Sequence, residues 1–279
     1  MTYKSVNVVL TDESLVDEIL TAATAMARKT GAHLDVLCLG VDRSQSGYYY
    51  AGASAIVLQE TISQATEEAT QIESRAKQAL EGSGVLWSIE TGVAQLADLG
   101  RHIANRARFS DLALLPRPYR DDVGIELENV TEATLFDAQV PVLIIPPGGL
   151  PDIQPKRVLI GWDESNEAMN AVRAALPLLQ QADDVHVAVV APPPHGPNRS
   201  DPGGLLSQYL SRHGVRVQID VLSKTLPRVS DVLSRHALDT AADLIVMGAY
   251  GHSRFREAIF GGATRDMLES SKLPVFMAH

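Results

Sequence analysis

Residues 244–251 read Leu244-Ile245-Val246-Met247-Gly248-Ala249-Tyr250-Gly251, and after nine intervening residues comes Gly261-Gly262-Ala263-Thr264. The apolar run is short and ends in glycine, which predicts a buried strand. Glycines between such a strand and a helix leave backbone N–H groups unhindered beside a helix N-terminus. Unpaired amides and the macrodipole favour an anion there. Glycines at strand-to-helix junctions also serve as plain turn residues, so the spacing alone leaves a phosphate loop and a tight turn both open.

Working outward, the chain repeats itself. Val6-Asn7-Val8-Val9-Leu10-Thr11-Asp12-Glu13-Ser14 matches Arg157-Val158-Leu159-Ile160-Gly161-Trp162-Asp163-Glu164-Ser165 at an offset of 151 residues. Asp111-Leu112-Ala113-Leu114-Leu115 matches Asp243-Leu244-Ile245-Val246-Met247 at an offset of 132, and Val140-Pro141-Val142 matches Leu273-Pro274-Val275 at 133. A period this long means two copies of a whole domain, because solenoid repeats run to roughly 20–50 residues. The break falls at Pro146-Pro147-Gly148-Gly149-Leu150-Pro151, which continues neither strand nor helix. The expected domains are residues 1–147 and 156–279.

Within each half, Val/Ile/Leu-rich runs alternate with segments of helical period, the pattern of parallel strands joined by helical crossovers. Strands are expected near 5–11, 34–41, 85–91, 111–116 and 141–146, and again near 157–162, 184–191, 215–222, 243–248 and 273–278. Helices fall near 13–30, 55–81, 95–107 and 127–138, then 165–181, 203–213, 227–239 and 262–271. The fold class is α/β: two tandem doubly wound, open, parallel five-stranded sheets flanked by helices.

Gly248-x-x-Gly251, nine residues, Gly261, and a closing Leu273-Pro274-Val275-Phe276-Met277 strand resemble the nucleotide loop of universal stress proteins, and the chain resembles a tandem member of that family. The resemblance implies an adenine nucleotide alpha-hydrolase-like fold whose two halves pack as a pseudo-dimer, with a further homodimer open. It implies an adenine nucleotide, ATP or AMP, in the second half, with Mg²⁺ accompanying ATP. By position, Gly161 and Asp163 end the first strand and Asp163 contacts the nucleoside. Backbone near Val190 reads the adenine edge, Gly248, Gly251, Gly261 and Gly262 line the phosphates, and Met247, Ala263 and Thr264 complete the nucleotide-binding set. Asp163 also suits an N-cap for the following helix, and the two roles are compatible.

Two departures bear on this. Nucleotide-binding members follow the last motif glycine with Ser or Thr, whereas this chain has Gly262; Thr264 can supply a phosphate contact or an ordinary cap. In the first half Pro116-Arg117-Pro118-Tyr119 replaces Gly248-Ala249-Tyr250-Gly251, and proline lacks an N–H and fixes φ. That half is a degenerate domain, expected to bind no nucleotide in this manner, although Arg117 and Arg120 offer charge for another anion. Around the glycine loop His252, Arg254, Arg256 and Arg265 gather positive charge, as a polyphosphate site or a solvated helix face both would.

The formal net charge of −10 over 279 residues argues against nucleic acid or an anionic membrane as partner. The chain has no apolar run of the roughly 18–20 residues that a spanning helix needs, and no secretory leader pattern at Met1-Thr2-Tyr3-Lys4. The expected location is therefore cytoplasmic. The single cysteine, Cys38, lies in an apolar run and reads as a core thiol. The eight histidines, among them His186, His195, His213, His236 and His279, fall at no strong metal spacing, so no metal ligands are assigned.

No Gly-x-Ser-x-Gly elbow, Cys/His nucleophile pair or Walker lysine is present, so no catalytic residue is assigned and ATP turnover is expected to be very slow at most. A receiver domain fails because the later strand ends lack its phosphoacceptor Asp and its Lys. The competing reading is a nucleotide-independent adaptor or scaffold of the same fold for protein partners that the sequence does not name. Overhanging loops, with Tyr48-Tyr49-Tyr50 in the first half and Pro192-Pro193-Pro194-His195 in the second, serve either reading.

Overall fold

The computed structural model describes residues 2–44, 55–120, 123–150, 154–192, 201–249 and 262–279, with backbone alone for 55–58. The chain divides into two compact units, one of Tyr3–Gly149 and the other essentially of Leu150–His279.

In the N-terminal unit, β1 (Ser5–Leu10), β2 (His33–Asp42), β3 (Leu86–Gln95), β4 (Leu112–Pro116) and β5 (Val142–Ile145) alternate with α1 (Val16–Thr30), α2 (Ala55–Leu80), α3 (Leu99–Ala107) and α4 (Glu126–Glu132). Its strands lie in the order β3-β2-β1-β4-β5. The C-terminal unit repeats this with β6 (Arg157–Gly161), α5 (Asn166–Leu179), β7 (Asp184–Val190), α6 (Gly204–Arg212), β8 (Val217–Leu222), α7 (Val229–Asp239), β9 (Leu244–Gly248), α8 (Ala263–Ser270) and β10 (Val275–Ala278). The order there is β10-β9-β6-β7-β8. All the strand pairs described within the units are parallel, as the apolar runs required.

Helices cover the faces, so central strands such as β4 are buried along their whole length. In α1 the buried Val16, Ile19, Leu20, Ala23, Met26 and Ala27 follow the helical period. Helix α2 lies so close on β2 that a Cβ on Gly40 would be 1.7 Å from the carbonyl oxygen of Ala65, a contact only glycine allows.

The sequence repeat is also a repeat of hydrogen bonds. The Asp111 carboxylate accepts from the amides of Lys4 and Ser5 at 2.6 and 3.1 Å, tying the start of β4 to the start of β1. The Asp243 carboxylate accepts from those of Lys156 and Arg157 at 2.9 and 3.1 Å, doing the same for β9 and β6.

Two elements differ from expectation. Strand β3 continues to Gln95 because it pairs with β2 residue for residue, from His33↔Leu86 to Asp42↔Gln95. The helix expected over 127–138 is α only to Glu132 and then widens to a π turn at Ala133–Asp137. Thr131 and Thr134 hydroxyls donate to the carbonyls of Leu127 and Val130 at 2.9 and 2.7 Å, and such back-bonding loosens a helix.

Candidate functional site

In an open α/β sheet, ligands settle beyond the carboxyl ends of the strands where the strand order reverses. In the C-terminal unit that point lies between β6 and β9: the chain moves outward through β7 and β8 on one side of β6, then adds β9 and β10 on the other. Gly161 at the end of β6 is in register with Met247 on β9 and with Ala188 on β7. The Trp162 amide continues the ladder, donating to the Ala188 carbonyl at 3.0 Å. Gly161 and Gly248 end neighbouring strands beside the crevice expected at such a switch point, Asp163 follows two residues after β6, and Val190 ends the neighbouring β7.

Gly248 has a packing role as well. A Cβ there would sit 2.5 Å from the Ala168 nitrogen, so the first turn of α5 can approach β9 only because this residue is glycine. Met247 is buried, Gly161, Val190 and Gly248 are half-buried, and Asp163 is exposed.

Asp163 differs from the expected N-cap. Its Oδ1 accepts from the Ser165 amide at 3.0 Å and the Ser165 hydroxyl at 2.6 Å, a turn closed one step before the helix. Ser165 is the cap, its oxygen accepting from the Ala168 amide at 3.1 Å. Asp12 holds Ser14 in the same way in the N-terminal unit, at 2.8 and 2.7 Å. Ser165 was missed because Asp, Ser and Asn166 all suit the cap, and spacing does not separate them.

Gly262 is the N-cap of α8, with Ala263 and Thr264 in its first turn, so Thr264 is not the cap. Thr264 is buried, Ala263 half-buried and Gly262 exposed, and among the described residues no atom stands within 4 Å of where a Gly262 Cβ would be. Gly251 and Gly261 lie outside the described residues, as do His252, Arg254 and Arg256. Arg265 pairs with Glu269 along α8 at 2.7 Å, and Asp266 in the first turn pairs with Arg228 at 3.2 Å. Two non-glycine residues with left-handed backbone also border the crevice, Glu164 (φ 65°) and Ala191 (φ 47°). Such conformations cluster at ligand sites, and sequence patterns do not announce them.

The corresponding crevice of the N-terminal unit is built of charge pairs. Arg120 Nη1 lies 3.1 Å from Glu18 Oε1 on α1, both mostly buried. The Tyr119 hydroxyl donates to Glu128 on α4 at 3.0 Å. Arg43, just past β2, reaches Glu126 at 2.5 Å and Glu68 at 3.1 Å. Hydrogen bonding to Glu126 outweighs burial and holds the Arg43 guanidinium above its ordinary range. Arg120, considered from sequence as an anion ligand, thus already has a carboxylate.

One cluster was not visible in the sequence: His186, Asp220 and His236 meet, although 34 and 16 residues separate the histidines from the aspartate. Strand register brings them together, and no local spacing encodes register. Among the described residues, no helix is long and apolar enough to cross a membrane.

Comparison with known proteins fits this architecture. The model of the universal stress protein family matches residues 155–279. A universal stress protein of Synechocystis is 26% identical over 120 residues, which are 43% of this chain and 41% of that protein, so the match spans less than half of either. A universal stress protein from Archaeoglobus fulgidus superposes with a TM-score of 0.73 at 17% identity, over 98% of this chain and 95% of that one. A putative universal stress protein from Pseudomonas aeruginosa gives 0.59 at 15% identity, over 99% and 93%. At such identities the structural likeness speaks for the fold, which it extends over both units, while the family's sequence pattern lies in the second. Residues 155–279 carry the sequence pattern of the universal stress protein family, and both halves of the chain share the fold of the solved proteins of that name.

Proposed function

We propose that residues 156–279 form a domain that binds one adenine nucleotide, ATP or AMP, and that the protein acts in a cytoplasmic stress response by binding and signalling rather than by turnover. Residues 1–147 are then a degenerate domain that binds no nucleotide in this way. The observation that carries this reading is the register of Gly161 with Met247 at the switch point of the second sheet, with Asp163 and Gly248 following within two residues along the chain, in the unit that also carries the glycine motif.

The residues fit the ligand. Gly262 at the N-cap of α8 adds no side chain before the helix amides, where a phosphate gains from unpaired N–H groups. Asp163 is exposed beside the crevice, with Oδ1 already accepting two hydrogen bonds from Ser165, which suits a fixed ribose acceptor better than a proton-transfer group. Mg²⁺ accompanying ATP would neutralise phosphate charge. Without an assigned base or water-positioning residue, hydrolysis is at most very slow.

A second reading, a nucleotide-independent scaffold for protein partners, draws on Gly262 in place of a hydroxyl residue and on the Arg120–Glu18 pair that occupies the first crevice. Calorimetric titration of nucleotide-free protein with ATP, with and without Mg²⁺, separates the two. One site per chain, lost in a folded Gly251→Asp variant, supports the nucleotide reading; no heat up to millimolar ATP supports the scaffold.

A further inference from the structure

His186 on β7 is directly opposite Gln218 on β8, and Asp220 stands two residues further along β8. The two-residue alternation of strands puts all three side chains on one face of the sheet. Helix α7 packs across β7 on that face and brings His236 down to them. His186 Nδ1 and His236 Nε2 both lie 2.7 Å from the same oxygen, Asp220 Oδ2. The imidazole rings are 6.2 Å apart and close to perpendicular, at 77°. One ligand atom from each residue falls within 4.8 Å of the other two. The side chains are only 11, 21 and 17% exposed for His186, Asp220 and His236.

Two imidazole nitrogens and one carboxylate oxygen, converging from three elements, make a donor set suited to a borderline divalent ion such as Zn²⁺. Zinc bonds to nitrogen and oxygen run to about 2.0–2.2 Å, so tetrahedral ligand atoms stand roughly 3.3 Å apart. Each of the two 2.7 Å separations then has to open by about 0.6 Å, within reach of side-chain rotation. Burial opposes ionisation of Asp220, but hydrogen bonds from His236 and His186 outweigh it and hold the carboxyl below the ordinary carboxylate range.

We infer that His186, Asp220 and His236 form a binding site for a divalent transition-metal ion of the zinc class, with water completing the fourth position. The ion would join β8, the end strand of this unit's sheet, to β7 and α7.

The test uses full-length, tag-free protein stripped with chelator, titrated with Zn²⁺ by calorimetry and with Co²⁺ by visible absorption. One ion per chain, with the intense Co²⁺ bands of a tetrahedral site and a rise in melting temperature on adding Zn²⁺, is the expected result. His236→Gln keeps an N–H for Asp220 while removing a metal ligand. It should weaken Zn²⁺ by more than the roughly 10- to 100-fold that loss of an outer hydrogen-bond partner brings. The apo variant's circular dichroism and melting temperature should stay those of the apo wild type. Asp220→Asn should act in the same direction, and if it does not fold, His186→Gln takes its place. Absence of saturable Zn²⁺ binding at tens of micromolar protein would overturn the proposal. So would undiminished affinity in His236→Gln together with either other variant.

Discussion

Gly248 and Ala168 approach so closely that a Cβ on the glycine would stand 2.5 Å from the Ala168 nitrogen and 2.8 Å from the Glu167 carbonyl carbon. The atoms in the way belong to backbone at the start of α5, which cannot swing aside as a side-chain end can. Gly248→Ala should therefore cost about 1–3 kcal/mol, toward the upper end of what overpacking brings. Urea denaturation reads this as a lower midpoint at unchanged slope, and an unchanged midpoint would mean that α5 shifts freely on β9.

Gly262 is the opposite case. It caps α8 with an extended backbone (φ −146°, ψ 167°), and among the described residues nothing stands within 4 Å of where its Cβ would be. Gly262→Ser fits that geometry and adds a capping oxygen, for a gain of a few tenths of a kcal/mol. If the nucleotide's phosphates sit before α8, the added hydroxyl should also tighten ATP, measured by calorimetry on wild type and variant side by side. A more stable variant that binds ATP less well would place the phosphates elsewhere.

These glycines show where sequence reading works. Apolar runs ending at Gly161 and Gly248 located both strands, because a fully buried parallel strand and a close helix contact each restrict residue choice locally. The tie of Asp111 to β1 and of Asp243 to β6 was foreshadowed by their place in the repeat. What was not legible depends on register and competition. Ser165 prevailed over Asp163 as the cap through bonds that both side chains are able to make. The π turn after α4 arises from threonine back-bonding in a segment whose hydrophobic period still reads as α. The His186–Asp220–His236 cluster needs the β7–β8 register to exist at all.

Ser165→Ala tests the cap directly. It removes the acceptor for the Ala168 amide and the hydroxyl donated to Asp163, so the C-terminal unit should lose about 1 kcal/mol, within a range of about 0.5–2. Asp163→Asn keeps a side-chain oxygen for the Ser165 amide and should cost less. Equal losses in thermal or urea unfolding would show that the carboxylate's charge, rather than the cap, matters here.

Glu132 is a carboxylate in an unfavourable place. Burial, and then the charges of Glu128 and Asp137, raise its pKa above the ordinary value, and its buried Oε1 has no hydrogen-bond partner among the described residues. The folded state then holds this proton more tightly than the unfolded chain, so stability falls as pH rises from about 4.3 through the raised folded value. Glu132→Gln should stabilise the protein at pH 7, with the advantage closing as pH falls through the raised folded value and gone below about 4.3. Urea midpoints of both proteins at the two ends of that range decide it, and a gain independent of pH would assign the effect to packing.

Cys38, the single cysteine of the chain, is fully buried in β2. Burial, reinforced by Glu73 and partly offset by Lys77, pushes its thiol up to about 12. The thiolate is the reactive form, so at pH 8 native protein should resist a disulfide reagent, while denatured protein should react once per chain with a free thiol of ordinary pKa near 8.5. Because β2 pairs with β1 on one side and β3 on the other, exposing the sulfur requires the N-terminal sheet to open. The labelling rate at intermediate urea should then follow the loss of that unit's secondary structure by circular dichroism. Rapid labelling without denaturant would show instead that β2 opens locally while the rest of the sheet holds.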